Sequence, residues 1–171
     1  MSRRVPTNTR KRSTLKNPVC FSVSADLPGS AEENCDKIFD VSNWTGFQGY
    51  GPLPGIKDVV KIPSEEGKIG TRFEVTNSDG SHHVETVVEY ESGKLLRLRM
   101  DSFSPPLSKL ADHFIEIWSF SGKGSNTQVV RSFELYPKNA AGRIALSMIS
   151  YFFQKAVQKH LVSMEESFDP A

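Results

Sequence analysis

The chain has 171 residues and a formal net charge of +1, which fits one domain with a substantial core and is too short for two full domains. It contains no run of about 20 apolar residues, so no transmembrane helix is predicted and a cytoplasmic location is expected. Cys20 and Cys35 form neither a disulfide framework nor a zinc-binding pattern, and the sequence predicts no metal site and no cofactor.

The charge is unevenly distributed along the chain. Residues 1–17 hold six basic side chains and no acidic one, which leaves 15 basic and 20 acidic residues in the rest. We predict a disordered basic tail over 1–17 and a folded domain over 18–171. Contact of the tail with nucleic acid or an anionic membrane is a secondary expectation, because short basic termini are usually only solvated.

The first predicted elements are a strand and two short helices. Apolar residues alternate with small polar ones over 19–24, which is the period of a strand with one buried face. Ser30 and Glu33 have the spacing of a capping box and predict a helix through about Asp40. Ser42 is predicted to cap a second short helix, and a loop rich in glycine and proline follows it.

The middle of the chain is predicted to be an antiparallel meander, because short alternating segments are separated by turn residues. The expected strands cover about 57–62, 70–77, 82–91, 94–102, 112–121 and 127–136. The loop 104–108, Ser-Pro-Pro-Leu-Ser, cannot continue a ladder and is expected at the mouth of whatever the sheet encloses.

A long helix is predicted after this meander. Asn139 is a suitable N-cap, and the helical pattern continues to about Phe168. We expect the apolar face of the helix to pack across the whole sheet. On a helical wheel the expected face consists of Ala141, Ala145, Met148, Phe152 and Ala156, with Ile144 and Ile149 beside it.

This order of elements resembles the helix-grip fold of the START-like (SRPBCC) superfamily over about 18–168. The similarity is closest to its polyketide cyclase/dehydrase branch, in the segments Ile-Phe-Asp at 38–40, Pro-Gly-Ile-Lys-Asp-Val at 54–59, Ile-Gly-Thr-Arg-Phe at 69–73 and Glu-Thr-Val-Val-Glu-Tyr at 85–90. The resemblance implies an α+β domain: a curved seven-stranded antiparallel sheet around the C-terminal helix, with two short helices after the first strand. It also implies a cavity for an apolar ligand such as a lipid, a polyketide or an aromatic compound.

The alternation of each strand predicts which residues face the interior. Inward positions are expected at Phe73, Val75, Val84, Thr86, Val88, Leu96, Leu98 and Met100. Outward positions are expected at Glu85, Glu89, Arg97, Arg99 and Asp101. A cavity is predicted between the helix and the sheet, with a solidly packed core as the alternative. Its expected lining is Phe73, Leu98, Met100, Trp118, Met148 and Phe152, with Tyr50 near its mouth.

Two charged residues fall on the aromatic face of the last hairpin. Counting from the turn places Glu116 opposite Arg131 and Trp118 opposite Val129. Inside an apolar concavity each charge is costly without the other, so this pair is the best candidate site. Arg131 is expected to orient a polar group of the ligand, and Glu116 to balance it or to act as a general acid or base. The alternatives are a purely structural ion pair, or a β-bulge that turns both charges to solvent.

Three functions remain open at this level. The first is binding or carrying a hydrophobic small molecule, the second is a cyclase/dehydrase-type enzyme in the same cavity, and the third is a non-catalytic interaction protein that uses the basic tail. The sequence shows no nucleophile–base arrangement, phosphate loop or metal-ligand spacing, which favours binding over catalysis. The four histidines, His82, His83, His113 and His160, are predicted to be structural or solvent-exposed.

Overall fold

A computed structural model describes residues 17–166. Predictions about the basic tail, and about the helix beyond Glu166, lie outside this range. Within it, seven antiparallel strands form one sheet in the order β1-β7-β6-β5-β4-β3-β2. The strands are β1 (Val19–Pro28), β2 (Ile56–Ser64), β3 (Gly67–Asn77), β4 (His82–Glu91), β5 (Leu95–Asp101), β6 (Ala111–Lys123) and β7 (Asn126–Pro137).

The helices are α1 (Ala31–Lys37), a 3₁₀ helix (Val41–Gly46), α2 (Leu107–Leu110) and α3 (Ala140–Glu166). The capping box is confirmed, because the Glu33 backbone N–H donates to Ser30 Oγ at 3.2 Å and the Ser30 N–H donates to Glu33 Oε2 at 2.9 Å. The cap predicted for the 3₁₀ helix is wrong by two residues: the Asp40 side chain accepts from the Ser42 N–H. The helix-grip architecture predicted from the sequence is confirmed.

Helix α3 begins at its predicted cap, where Asn139 Oδ1 accepts from the Gly142 N–H at 2.7 Å. Its buried face carries Gly142, Leu146, Phe153, Ala156, Val157 and Leu161. The predicted face was therefore wrong in part: Met148 is 66% exposed, since it lies two residues from Leu146 and so about 200° around the helix. Packing across the whole sheet is also wrong, because α3 contacts chiefly β1 and β7.

The inner face of the sheet beyond these two strands is covered partly by α1, the 3₁₀ helix and the loop that follows it. Trp44 packs on Phe73 with ring centroids 4.6 Å apart, and Phe39 packs edge-on against Tyr90 at 5.5 Å. Phe73, Val75, Leu96, Leu98 and Met100 point inward as predicted. The space between α3 and β4–β6 is therefore where a cavity can form.

The register predicted for β6 and β7 is wrong by two residues. A two-residue turn joins the strands, with Lys123 opposite Asn126 and Gly124 at φ +63°, where the predicted connection was five residues long. Trp118 therefore lies opposite Arg131, and Glu116 lies opposite Phe133. A shift of two residues changes the partner but keeps the same face, so the predicted inward phase of both charges is confirmed.

Candidate functional site

Arg131 is the centre of the polar group inside the sheet. It lies on β7 and is only 8% exposed, and its Nε donates to Glu116 Oε1 on the neighbouring strand. Three aromatic rings surround the guanidinium, whose Cζ lies 4.4 Å from the Trp118 centroid, 5.2 Å from Phe133 and 5.9 Å from Phe47. The charge is thus held by one carboxylate and by the electron-rich faces of the rings.

Arg131 also contacts a histidine from α3. His160 Nδ1 lies 3.1 Å from Arg131 Nη1. A guanidinium only donates, so Nδ1 must accept, and the neutral imidazole carries its proton on Nε2. Burial first, and then the charge of Arg131, lower the pKa of His160 to about 3. His160 is therefore neutral at physiological pH.

Glu116 is 1% exposed, and this burial sets its proton affinity. Removal from water raises its pKa to about 7, because burial outweighs the lowering by Arg131, and the nearby charge of Glu85 raises the pKa further. The Trp118 indole N–H is near enough to favour the charged form of Glu116 but is not in hydrogen-bonding geometry with it. It is buried without any acceptor in residues 17–166.

Glu85 on β4 is a second buried carboxylate, which corrects the prediction that it faces outward. It is 4% exposed, and its Oε1 lies 3.0 Å from His83 Nε2. The cause is a β-bulge: the pairing with β5 shifts between Val87 and Glu89, so Val88 is the extra residue and is 42% exposed. Ahead of the bulge Glu85 and Val87 point inward, while Val84 and Thr86 occupy the outer face.

Two neighbouring cavities adjoin these charges. The outer cavity has a volume of about 380 Å³, within the usual range for small-molecule sites. Its walls are mostly apolar and come from α3, from β5 and β6, and from the loops at 52–54 and 103–107; they include Leu53, Met100, Phe103, Leu107, Phe114, Ile149, Phe152 and Phe153. Loop 104–108 lines this cavity, in agreement with the position expected for it.

The inner cavity has a volume of about 50 Å³. It shares Phe47, Ile56, Glu85 and Arg131 with the outer one, so these four residues lie where the two cavities adjoin. The inner walls are both aromatic and charged, and they include Lys37, Trp44, Leu98, Glu116, Trp118 and His160. The polar groups are therefore concentrated at the narrow end of a mostly apolar space.

The structure brings together most of the residues predicted for the site. Glu116, Arg131, Trp118 and Leu98 line the inner cavity, and Met100 and Phe152 line the outer one. Neither cavity is lined by the other three. Phe73 is buried beneath Trp44, Tyr50 is 44% exposed, and Met148 lies on the far side of α3.

Sequence reasoning missed Glu85, His83 and His160. His160 could have been found, because it follows Phe153 by seven residues and Ala156 by four, which places it on the buried face of α3. Glu85 gave no such signal, since the bulge that turns it inward has no mark in the local pattern. His83 shares the inward face of β4 with Glu85 and was missed for the same reason.

Two further features were sought in residues 17–166: a cluster of metal-ligating side chains and a membrane-spanning helix. These residues contain no group of three or more His, Cys, Asp or Glu side chains placed to hold a metal ion. None of their helices combines the length and apolar character that a bilayer crossing requires.

Solved structures with the same fold include one from a bacterium and one from a plant. The protein TTHA0849 from Thermus thermophilus is 15% identical, with 86% of this chain and 95% of that chain covered and a TM-score of 0.66. Major latex-like protein 151 from Panax ginseng is 13% identical, with 89% and 98% covered and a TM-score of 0.61. At such identities the likeness shows the fold alone.

A search of curated proteins finds no significant sequence match. The model of one family, described as polyketide cyclase/dehydrase and lipid transport, matches residues 18–169. That match spans nearly the whole chain and agrees with the START-like fold described above. The protein therefore belongs to the polyketide cyclase/dehydrase and lipid-transport family of the START-like superfamily.

Proposed function

We propose that the protein binds and carries an apolar small molecule in the outer cavity. The observation that carries this proposal is the space of about 380 Å³ with apolar walls, which ends at a buried polar group. Apolar walls around a space of this size favour a ligand whose surface is largely removed from water. A lipid, a polyketide or an aromatic compound has the required chemistry, and the family description mentions polyketides and lipids.

Two measurements test this proposal. Native mass spectrometry of freshly purified protein would detect a small molecule that remains bound. Uptake of the neutral fluorophore N-phenyl-1-naphthylamine would measure the capacity of the cavity directly. We expect saturable uptake with a stoichiometry of about one, since the fluorophore gains apolar contact by leaving water.

A matched pair of variants tests whether the fluorophore binds in the outer cavity. Ile149→Trp adds bulk inside the outer cavity, whereas Ile144→Trp adds the same bulk at a side chain that is 67% exposed. We expect uptake to fall at least about tenfold in the first variant and to stay unchanged in the second. Equal uptake in both folded variants would show that the fluorophore binds elsewhere and would contradict the proposal.

A second candidate function is catalysis in the same cavity, favoured by Glu116. A carboxyl group with a pKa of about 7 can give or take a proton near neutral pH, as general acid–base chemistry requires. Glu116→Gln separates the two functions. A carrier should retain its ligand, whereas an enzyme should lose turnover while it still binds.

A further inference from the structure

The inner cavity contains polar atoms that the described chain leaves without partners. On the donor side these are the Trp118 indole N–H and the Nη2 group of Arg131, whose other nitrogens are engaged by Glu116 and His160. On the acceptor side these are the second carboxylate oxygens, Oε2, of Glu85 and Glu116. The Trp118 N–H is buried, and a buried donor without an acceptor is costly, so a polar group that enters this cavity would gain a hydrogen bond there.

The mixture of donors and acceptors restricts what that group can be. A carboxylate only accepts, and it would face the charges of Glu85 and Glu116. An ammonium only donates, and it would face the guanidinium of Arg131, with Lys37 also in the wall. A hydroxyl group donates one hydrogen bond and accepts others, so it can satisfy both sides without adding a charge.

Size separates the two parts of such a ligand. The inner cavity has a volume of about 50 Å³ and the outer one about 380 Å³, so a small polar group suits the inner cavity and the bulk of an apolar ligand suits the outer one. The apolar remainder of the ligand would extend past Phe47 and Ile56 into the outer cavity.

We propose that the inner cavity is a hydroxyl-recognition subsite, in which the ligand's hydroxyl donates to Glu85 and accepts from Arg131 and Trp118. The inference rests on the proposed binding function and adds the chemical class of the ligand: an uncharged apolar alcohol. Glu85 is the specificity-determining residue, because its charge favours a donor and disfavours an anion.

Four eight-carbon probes of similar size test the subsite: octan-1-ol, its isomer heptyl methyl ether, octanoate and octylammonium. Their affinities are measured at pH 8 by displacement of N-phenyl-1-naphthylamine from the full chain. We expect octan-1-ol to bind at least about tenfold more tightly than the other three, because only it gives a donor to the carboxylates without a net charge.

Three variants assign the preference to the residues. Glu85→Gln should weaken octan-1-ol about fivefold to tenfold and strengthen octanoate. Trp118→Phe should weaken octan-1-ol and the ether alike, because the oxygen of each can accept from the indole N–H. Glu89→Gln is the matched control, since Glu89 lies on the same strand with its side chain 52% exposed, and it should change neither ligand.

The outcomes separate the two proposals. Uptake of the fluorophore with no preference for octan-1-ol over the ether, or with tighter binding of octanoate or octylammonium, would overturn the subsite and leave the carrier function standing. A preference for octan-1-ol over the ether that survives Glu85→Gln would also overturn it, because the proposal has the hydroxyl donate to Glu85. No uptake of the fluorophore at all would overturn the carrier function and the subsite with it.

Discussion

Replacing Arg131 by methionine would remove a charge that Glu116 needs. Methionine keeps the apolar stem of the side chain but lacks the guanidinium, so the variant loses the ion pair and the contacts of Cζ with Trp118 and Phe133. Glu116 is 1% exposed and would have no remaining cationic hydrogen-bond partner. The structure therefore predicts a large destabilisation that depends on whether Glu116 can take up a proton.

The magnitude follows from the proton balance. The pKa of Glu116 is about 7 with Arg131 in place and 4.5 without the protein environment, and removal of Arg131 raises the folded value further. A carboxyl whose pKa is raised by folding binds more protons in the folded state, so stability falls as pH increases from about 4.5 through the folded pKa. We expect Arg131→Met to lose about 1–2 kcal/mol at pH 5.5, where Glu116 is protonated, and about 3–5 kcal/mol at pH 9.

Urea unfolding at both pH values measures these losses. The double variant Glu116→Met/Arg131→Met removes both charges and should lie within about 1–2 kcal/mol of the original chain at pH 9. Arg97→Met is the control: Arg97 Nε lies 3.5 Å from Glu89 Oε2 in an exposed pair, so it should cost less than about 1 kcal/mol at either pH. A loss below about 1 kcal/mol for Arg131→Met at pH 9, or one that does not grow with pH, would refute the electrostatic reasoning.

The other predictions concern two titrating groups and one glycine. The pKa of His160 is about 3 in the folded chain and 6.5 ordinarily, so the original chain loses stability as pH falls between these values. His160→Gln lacks the titrating group and should therefore gain stability relative to the original chain as pH falls from 6.5 toward 4. Urea titrations measure this difference. Glu116→Gln should gain relative stability in the opposite direction, as pH rises from about 4.5 to 7, and a pH-independent difference would contradict either assignment. Gly142→Ala should lower stability by about 1–3 kcal/mol despite the better helix propensity of alanine, since the added Cβ would lie 2.1 Å from the Leu110 carbonyl oxygen. Gly122→Ala is the control, because its Cβ would meet nothing within 4 Å. It should change stability by less than about 0.5 kcal/mol in thermal or urea melts.

Strand phase could be predicted wherever large apolar residues strictly alternate. On β5 the order Leu96, Leu98 and Met100 leaves one inward set, and on β6 burial of Trp118 and Phe120 determines the side of Glu116. On β4 two valines are adjacent at 87 and 88, so either phase buries one of them. The bulge selects the phase that buries Glu85, and a tertiary choice of this kind leaves no local signal.

The face of α3 was misread because its first half is apolar on more than one side. Ile144, Met148 and Tyr151 form an exposed set, whereas Leu146 and Phe153 form the buried one. Helical period alone does not decide between two such sets. The decision comes from packing on β1 and β7, which depends on contacts between distant parts of the chain.

Hydrogen bonds anchor the start of α3 to the short helix α2, which lies beside the outer cavity. The Lys138 N–H donates to the Leu110 carbonyl at 2.9 Å, Asn139 Nδ2 donates to the Lys109 carbonyl at 3.1 Å, and Lys138 Nζ donates to the Ser108 carbonyl at 2.6 Å. The acceptors are backbone carbonyls of α2, so these hydrogen bonds do not depend on the side chains that face the cavity. Leu107 can consequently be exchanged to reshape the space while the backbone around it stays anchored, which makes this position a natural starting point for altering ligand choice by design.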